Sequence, residues 1–416
     1  MSNGGKYFTG TLPVNYDILI DMYDAAKIEK IQSFRQRQVT KWLKSRDFGA
    51  VILFDPVNIR YATGSRNMQV WTMHNFCRYT VIFQCGRTVM YELPSSTHLS
   101  EGMSVITECR PAISADYMTV AERSREMAIR WAREIQALLG EEGLANEKIA
   151  IDRADLELVL ASQAVGINLV DGKSVMERAR SVKSVEEIEA LKWSLRTCEA
   201  SVQEMKQVLE PGMRESDAMA LMIKGSVERG GEYPETRLLS SGPRTNPWFQ
   251  ETSDRVIANG DMMAFDTDMI GPLGFYNDIS RSWVVGDKKP VEMQRYLYTI
   301  AHEQLQHNMA LLKPGMGFLE YSDHSYQLPA KCIPNRYADV AHGCGMGVEY
   351  PFIWYREDEE WGAYDGVFEE NMIVCIECYA GELGGREGVK LEQPVWIREN
   401  GPELISEFPL EQDYLI

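Results

Sequence analysis

The 416-residue chain is poor in histidine, with six in all, and poor in positive charge, with 43 lysines and arginines against 61 acids. The resulting formal charge of −18 argues against a nucleic-acid partner, which needs a basic face, and against docking on anionic membranes. No apolar run approaches the roughly 20 residues of a spanning helix. The opening MSNGGKYFTGTLPVNYDILIDMYD has no basic end leading into an uninterrupted apolar segment, so it does not read as a signal peptide. The eight cysteines (Cys77, Cys85, Cys109, Cys198, Cys332, Cys344, Cys375 and Cys378) are scattered. That excludes a disulfide framework and fits reduced thiols of a cytoplasmic enzyme. Cys375 and Cys378 form a CxxC inside the alternating run NMIVCIECYA, and without a second CxxC they make no structural zinc site. Low-complexity segments are missing too.

What is present is an ordinary globular composition, 44% hydrophobic and 25% charged, in a chain too long for a single core. The first part reads as α/β. A helix over about 28–45 precedes the strand AVILFD, strands follow at YTVIFQC and TVMYEL, a helix covers about 121–139, and KIAIDR and INLVDG are short strands. At MERARSVKSVEEIEALKWSLRTCEASVQEMKQVL the pattern changes to long charged helices, with Ser184 and Glu187 at capping-box spacing. This sets a domain boundary near Val182, giving domains 1–181 and 182–416. LEPGM at 209–213 breaks a helix and LKPGM at 312–316 repeats the break, which hints at two similar halves.

The stretch FDTDMIGPLGFYNDISRSW carries Asp266, Asp268 and Asp278 among apolar and glycine positions. Strand alternation through MMAFDTDMI puts Asp266 and Asp268 on one face. GPLG turns the chain, and FYNDISRSWVV returns with Asp278. Three carboxylates brought together need cations, either an arginine such as Arg281 or a metal. His342 lies in DVAHGCGMGVEYPF, where small residues let a ligand approach. His302 and His307, five residues apart on a helix, do not share a face well. Glu377 and Glu392 interrupt the apolar strands NMIVCIECYA and GVKLEQPVWI, where an unpaired buried charge is expensive.

In order, Asp266 or Asp268, Asp278, His342, Glu377 and Glu392 resemble the metal ligands of the pita-bread family of methionine aminopeptidase, prolidase and creatinase. NIRYATG and LKWSLRTCEASV are similar to that family as well. The peptidases carry a single acid eleven residues before the second aspartate, where this chain has Thr267 flanked by two acids. This DTD version resembles the dimethylsulfoniopropionate lyase branch, as do FDPVNIRYATGSRNMQVWTMHN, GGEYPETRLLSSGPRTNPWFQE, DISRSW and KLEQPV.

The resemblance implies an α/β creatinase-like N-terminal domain. It implies a C-terminal pita-bread domain with curved antiparallel sheets and flanking helices. It implies six ligands, Asp266, Asp268, Asp278, His342, Glu377 and Glu392, for two divalent metals. Iron is the expectation by likeness, and manganese, cobalt or zinc suit the same donors. It implies a small zwitterionic or carboxylate substrate, its sulfonium cradled by aromatic faces, with Trp71, Tyr61 and His74 binding it and Tyr337 in the catalytic group. It implies a homodimer in which one N-terminal domain, through RNMQVWTMHN, covers the other subunit's site. Where the lyases place an aspartate base this chain has Val348, so Glu349 is the expected substitute base. The prolidase histidine at the position of Glu349 is absent. Elimination to dimethyl sulfide and acrylate, hydrolysis of a small amide, imide or Xaa-Pro dipeptide with Glu377 as proton shuttle, and an impaired lyase relative are the three readings.

Overall fold

The computed structural model describes residues 24–416; most of the opening segment considered for a signal peptide lies outside them. Two compact units are present, one made of Glu29–Ser184 with Gly345–Tyr350, the other of Val185–Cys344 with Pro351–Ile416.

The first unit is built on a six-stranded mixed sheet. Its strands are β1 (Ala50–Leu53), β2 (Tyr79–Phe83), β3 (Thr88–Glu92), β4 (Glu108–Pro111), β5 (Lys148–Ile151) and β6 (Asn168–Asp171), in the order β4-β3-β2-β1-β5-β6. Every residue of β1 is buried because helices cover both faces. Alternation then splits the strand between two cores. Ala50 and Ile52 pack with Trp131, Ile135 and Leu138 of the helix Ser124–Glu141. Val51 and Leu53 pack with Val39 and Leu43 of the helix Ala25–Ser45 and with Val175 and Met176 of Lys173–Ser181. The strands and the two long helices read from the sequence are all present.

The second unit opens with the helices Val185–Val208 and Glu215–Glu228, packed on each other and separated by LEPGM. Strands β7 (Tyr233–Pro234), β8 (Leu239–Ser241), β9 (Met262–Asp266), β10 (Met269–Ile270), β11 (Tyr276–Asn277) and β12 (Ser280–Val284) make two three-stranded sheets, β11-β10-β7 and β12-β9-β8. A second helix pair, Glu292–Leu311 and Phe318–His324, flanks LKPGM and precedes β13 (Asp339–Cys344), β14 (Val348–Trp354), β15 (Ile373–Ala380), β16 (Val389–Trp396) and β17 (Glu403–Leu404). These five form the sheet β14-β13-β15-β16-β17. Each PGM break therefore joins two helices that lead into strands, the arrangement the repeated motif suggested. The helix Glu292–Leu311 packs on β15 and β16, and β16 also packs on β12 and β9. Every residue of β15 and all but the last of β16 are buried.

Candidate metal centre

One face of the large sheet carries most of the chemistry. Ladder register sets His342 opposite Cys375, Glu377 opposite Glu392 and Tyr379 opposite Lys390. Period-two alternation then puts His342, Cys375, Glu377, Glu392 and Lys390 on the same side. The three aspartates come from the smaller sheets. Asp266 ends β9, paired with Ser280; Asp278 sits in the two-residue gap between β11 and β12.

Asp268 reaches the cluster by a different route from the one expected. The strand does not run on through it: β9 stops at Asp266, and Asp268 has a left-handed backbone with φ of 41°. A kink, rather than continued alternation, turns its side chain inward. Thr267, at the departure from the peptidase pattern, stitches that kink. Its hydroxyl donates to the Asn277 carbonyl at 2.8 Å and accepts from the Ile279 amide at 3.0 Å. The Asp268 carboxylate in turn accepts from the hydroxyls of Tyr276 and Thr236.

All five acids and the histidine are buried. Asp266, Asp268 and Asp278 offer oxygens within 4.8 Å of one another; so do Asp266, Glu377 and Glu392, and so do ligand atoms of Asp278, His342, Cys375 and Glu392. His342 Nε2 lies 3.3 Å from Glu377 Oε1, 3.5 Å from Asp278 Oδ2 and 3.7 Å from Glu392 Oε1. Its Nδ1 is 3.0 Å from the Gly343 carbonyl, which favours the tautomer that leaves Nε2 as a lone-pair donor.

The electrostatics are those of a site that wants cations. Burial, then Glu392 and Asp266, push the Asp278 carboxyl well up; burial, then Asp266 and Glu377, do the same to Glu392. Asp268 is pushed up to about 7 by burial and Asp266. Asp266 Oδ1, both oxygens of Asp278 and Glu392 Oε1 are buried with no hydrogen-bond partner. Orphaned buried carboxylate oxygens are costly, and divalent ions satisfy them directly. Oxygen donors with one imidazole suit such ions.

Two groups were not read from the sequence. The first is Lys390, fully buried with its Nζ 2.5 Å from Glu377 Oε2, 3.1 Å from Glu392 Oε2 and 3.2 Å from Asp266 Oδ2. The signal was available: in KLE, Lys390 stands two residues before Glu392 and must share its face. Arg281, weighed as a counter-cation, instead donates to the carbonyls of Ser280, Glu392 and Phe408. The second is Asp339, buried at the start of β13, its Oδ2 without a partner and its carboxyl pushed up to about 7 by burial. Tyr337 lies near the cluster, its ring centroid 4.6 Å from Lys390 Nζ and 5.0 Å from that of Phe249. Burial and Glu377 push its hydroxyl well up, which keeps the proton on.

Other expected residues belong to the first unit. Glu349 is 4% exposed and is gripped by Lys183 at 2.5 Å and by Arg180 Nε at 3.1 Å. The segment from Val348 is a regular strand whose alternation leaves Val348 45% exposed and turns Glu349 inward. Both oxygens of Glu349 are thus taken up by buried cations, and the geometry does not support the expectation that it is the base. Tyr61 lies in the core, with its hydroxyl donating to the Ala179 carbonyl at 2.7 Å and Arg35 4.9 Å from its ring, which ties it to the fold. Trp71 and His74 are exposed, in and just after the short helix Gln69–Thr72.

Comparison with known proteins agrees with this architecture. Residues 189–399 match metallopeptidase family M24 and residues 35–182 match the creatinase/prolidase N-terminal domain. The chain is 36% identical to the dimethylsulfoniopropionate lyase DddP of Roseovarius nubinhibens, over 92% of this chain and 87% of that protein. It is 36% identical to the DddP of Roseobacter denitrificans, over 94% and 88%. With the Xaa-Pro dipeptidase of Pyrococcus furiosus it shares 30% over 56% and 65%. The solved Xaa-Pro dipeptidase from Bacillus anthracis superposes with a TM-score of 0.72 at 18% identity, over 92% of this chain and 99% of that one, a likeness of fold. A match to metallopeptidase family M24 over residues 189–399, which hold a histidine and five buried carboxylates, and a match to the creatinase/prolidase N-terminal domain earlier in the sequence place the chain in metallopeptidase family M24.

Proposed function

We propose that this enzyme is a metal-dependent carbon–sulfur lyase that converts dimethylsulfoniopropionate, or a close β-sulfonium carboxylate, to a dialkyl sulfide and an acrylate. The observation that carries the reading is likeness to two named lyases over nine-tenths of the chain, combined with the clustering of all six candidate ligands. Asp266, Asp268, Asp278, His342, Glu377 and Glu392 would hold two divalent metals; iron is the assignment by likeness. When bound, these ions supply the positive charge that holds the substrate carboxylate and acidifies the adjacent C–H. The C–H electron pair becomes the double bond, the C–S bond breaks, and the sulfide leaves with that bond's electrons. The proton needs an acceptor near the cluster, which neither the apolar Val348 nor the ion-paired Glu349 supplies. Tyr337, held protonated, donates to the substrate carboxylate.

We further propose the domain division 1–181 and 182–416, and a homodimer in which the exposed Trp71 and His74 of one subunit complete the other's substrate site. Among the described residues no helix is long and apolar enough to cross a membrane.

Val348 favours a second reading, hydrolysis of a small amide, imide or Xaa-Pro dipeptide, because an apolar residue cannot act as the lyase base. The test is product analysis on purified, metal-loaded protein. Headspace dimethyl sulfide with equimolar acrylate supports the lyase. Proline from Xaa-Pro dipeptides without sulfide supports hydrolysis. Neither product marks an impaired relative or another substrate.

A further inference from the structure

The Lys390 ammonium is fully buried inside a ring of acids that are themselves candidate metal ligands. It touches one oxygen on each of Asp266, Glu377 and Glu392, and it donates to Ser280 Oγ at 2.7 Å while that hydroxyl donates to Glu392 Oε2 at 2.8 Å. The opposite oxygens are those aimed at the cluster. Glu377 Oε1 and Glu392 Oε1 face His342, and Asp266 Oδ1 and Glu392 Oε1 have no hydrogen-bond partner. Lys390 thus divides each carboxylate into an inner-facing oxygen left for a metal and an outer oxygen already neutralised. Two aromatic rings lie over the ammonium, Tyr337 at 4.6 Å and Trp248 at 5.9 Å, and they also favour a cation there.

Charge counting gives this arrangement a purpose. Five carboxylates carry −5 and two divalent ions would carry +4, which leaves −1 in a buried interior, where an uncompensated charge is unfavourable. One lysine closes the sum. We infer that Lys390 is a positioning residue of the metal centre: it orients Asp266, Glu377 and Glu392, and as the fixed internal cation it matches a five-carboxylate site to two divalent ions rather than to a divalent–trivalent pair. This rests on the reading that these acids hold two metals, and the test separates the two.

The experiment measures binding of Mn2+ and Tb3+ to the chelator-stripped full chain, for wild type, Lys390→Met and Lys390→Arg. Mn2+ stoichiometry is read by metal analysis, Mn2+ affinity by calorimetry and Tb3+ affinity by sensitised luminescence. Removing one nearby unit charge helps a trivalent ion more than a divalent one, because repulsion scales with the ion's charge. The Tb3+-to-Mn2+ affinity ratio should therefore rise by about tenfold or more in Lys390→Met and stay near wild type in Lys390→Arg. A lysine that merely supports the fold would weaken both ions alike and leave the ratio unmoved; that result overturns the proposal, as does an arginine variant that behaves like methionine. If Lys390→Met yields no folded protein, the same ratio in Lys390→Gln decides. Wild type binding no Mn2+ overturns the metal reading itself, whatever the variants do.

Discussion

Glu377 and Glu392 stand directly opposite each other across the β15–β16 ladder, both buried. Like charges at directly opposed positions destabilise a sheet, and burial removes the water that would screen them. The pair is tolerable because Lys390 and His342 take opposite sides of the two carboxylates. Glu392→Gln should therefore make the chelator-stripped protein more stable, by about 1 kcal/mol, while cutting Mn2+ affinity at least about tenfold. Thermal melts with and without Mn2+ read both effects; a variant with unchanged metal affinity would remove Glu392 from the ligand set.

Stability of the metal-free protein should fall as pH rises from 5 to 8. Asp268 and Asp339 are each pushed up to about 7 from 3.8 by burial. Between those values the unfolded chain has released protons that the folded chain keeps, so rising pH favours unfolding. His342 acts in the same direction. Burial alone would lower it, but Glu377 and the other acids raise it well above its ordinary value, and the stability it contributes at low pH is lost as pH rises. Asp266, held low by Lys390 against burial, opposes this only in part. In Mn2+-loaded protein the trend reverses, because metal binding displaces those protons. Melting temperatures across this range, before and after loading, check both signs.

Glu349→Gln should behave as a loss of structure. Removing the charge leaves Lys183 and Arg180 buried without their partner, which costs about 3–5 kcal/mol, with Mn2+ content unchanged. Denaturant unfolding measures the cost. A variant of wild-type stability that had lost elimination would restore Glu349 as the base.

Val348→Asp should be nearly neutral for stability, within about 0.5 kcal/mol, since the position is 45% exposed. If the lyase reading holds, adding a carboxylate at the lyases' base position raises dimethyl sulfide production by about a hundredfold, read by headspace analysis. No increase would mean that position 348 has no part in proton removal here.

Thr267→Val should loosen the kink that presents Asp268. Two buried hydrogen bonds are lost and their partners stay buried, at about 1–3 kcal/mol each. The expected readout is a lower melting temperature together with weaker Mn2+ binding.

The sequence by itself determined the periodic parts. Apolar runs with turn residues between them marked the strands of both units, and buried-looking acids inside those runs marked Asp266, Asp278, Glu377 and Glu392, because a charge in an apolar strand is expensive wherever that strand is packed. Alternation also placed Lys390 beside Glu392, although a lysine in a strand looks like an exposed edge until the sheet is seen to be covered. Only the tertiary structure decided the rest. That Glu377 faces Glu392, that Lys390 rather than Arg281 is the counter-cation, and that Asp268 turns inward through a left-handed residue depend on strand register and on a local break held by Thr267. That Glu349 is spent on Lys183 and Arg180 depends on residues more than 160 positions away. Pairings of that range come from sheet topology and packing, which a period-two pattern does not encode.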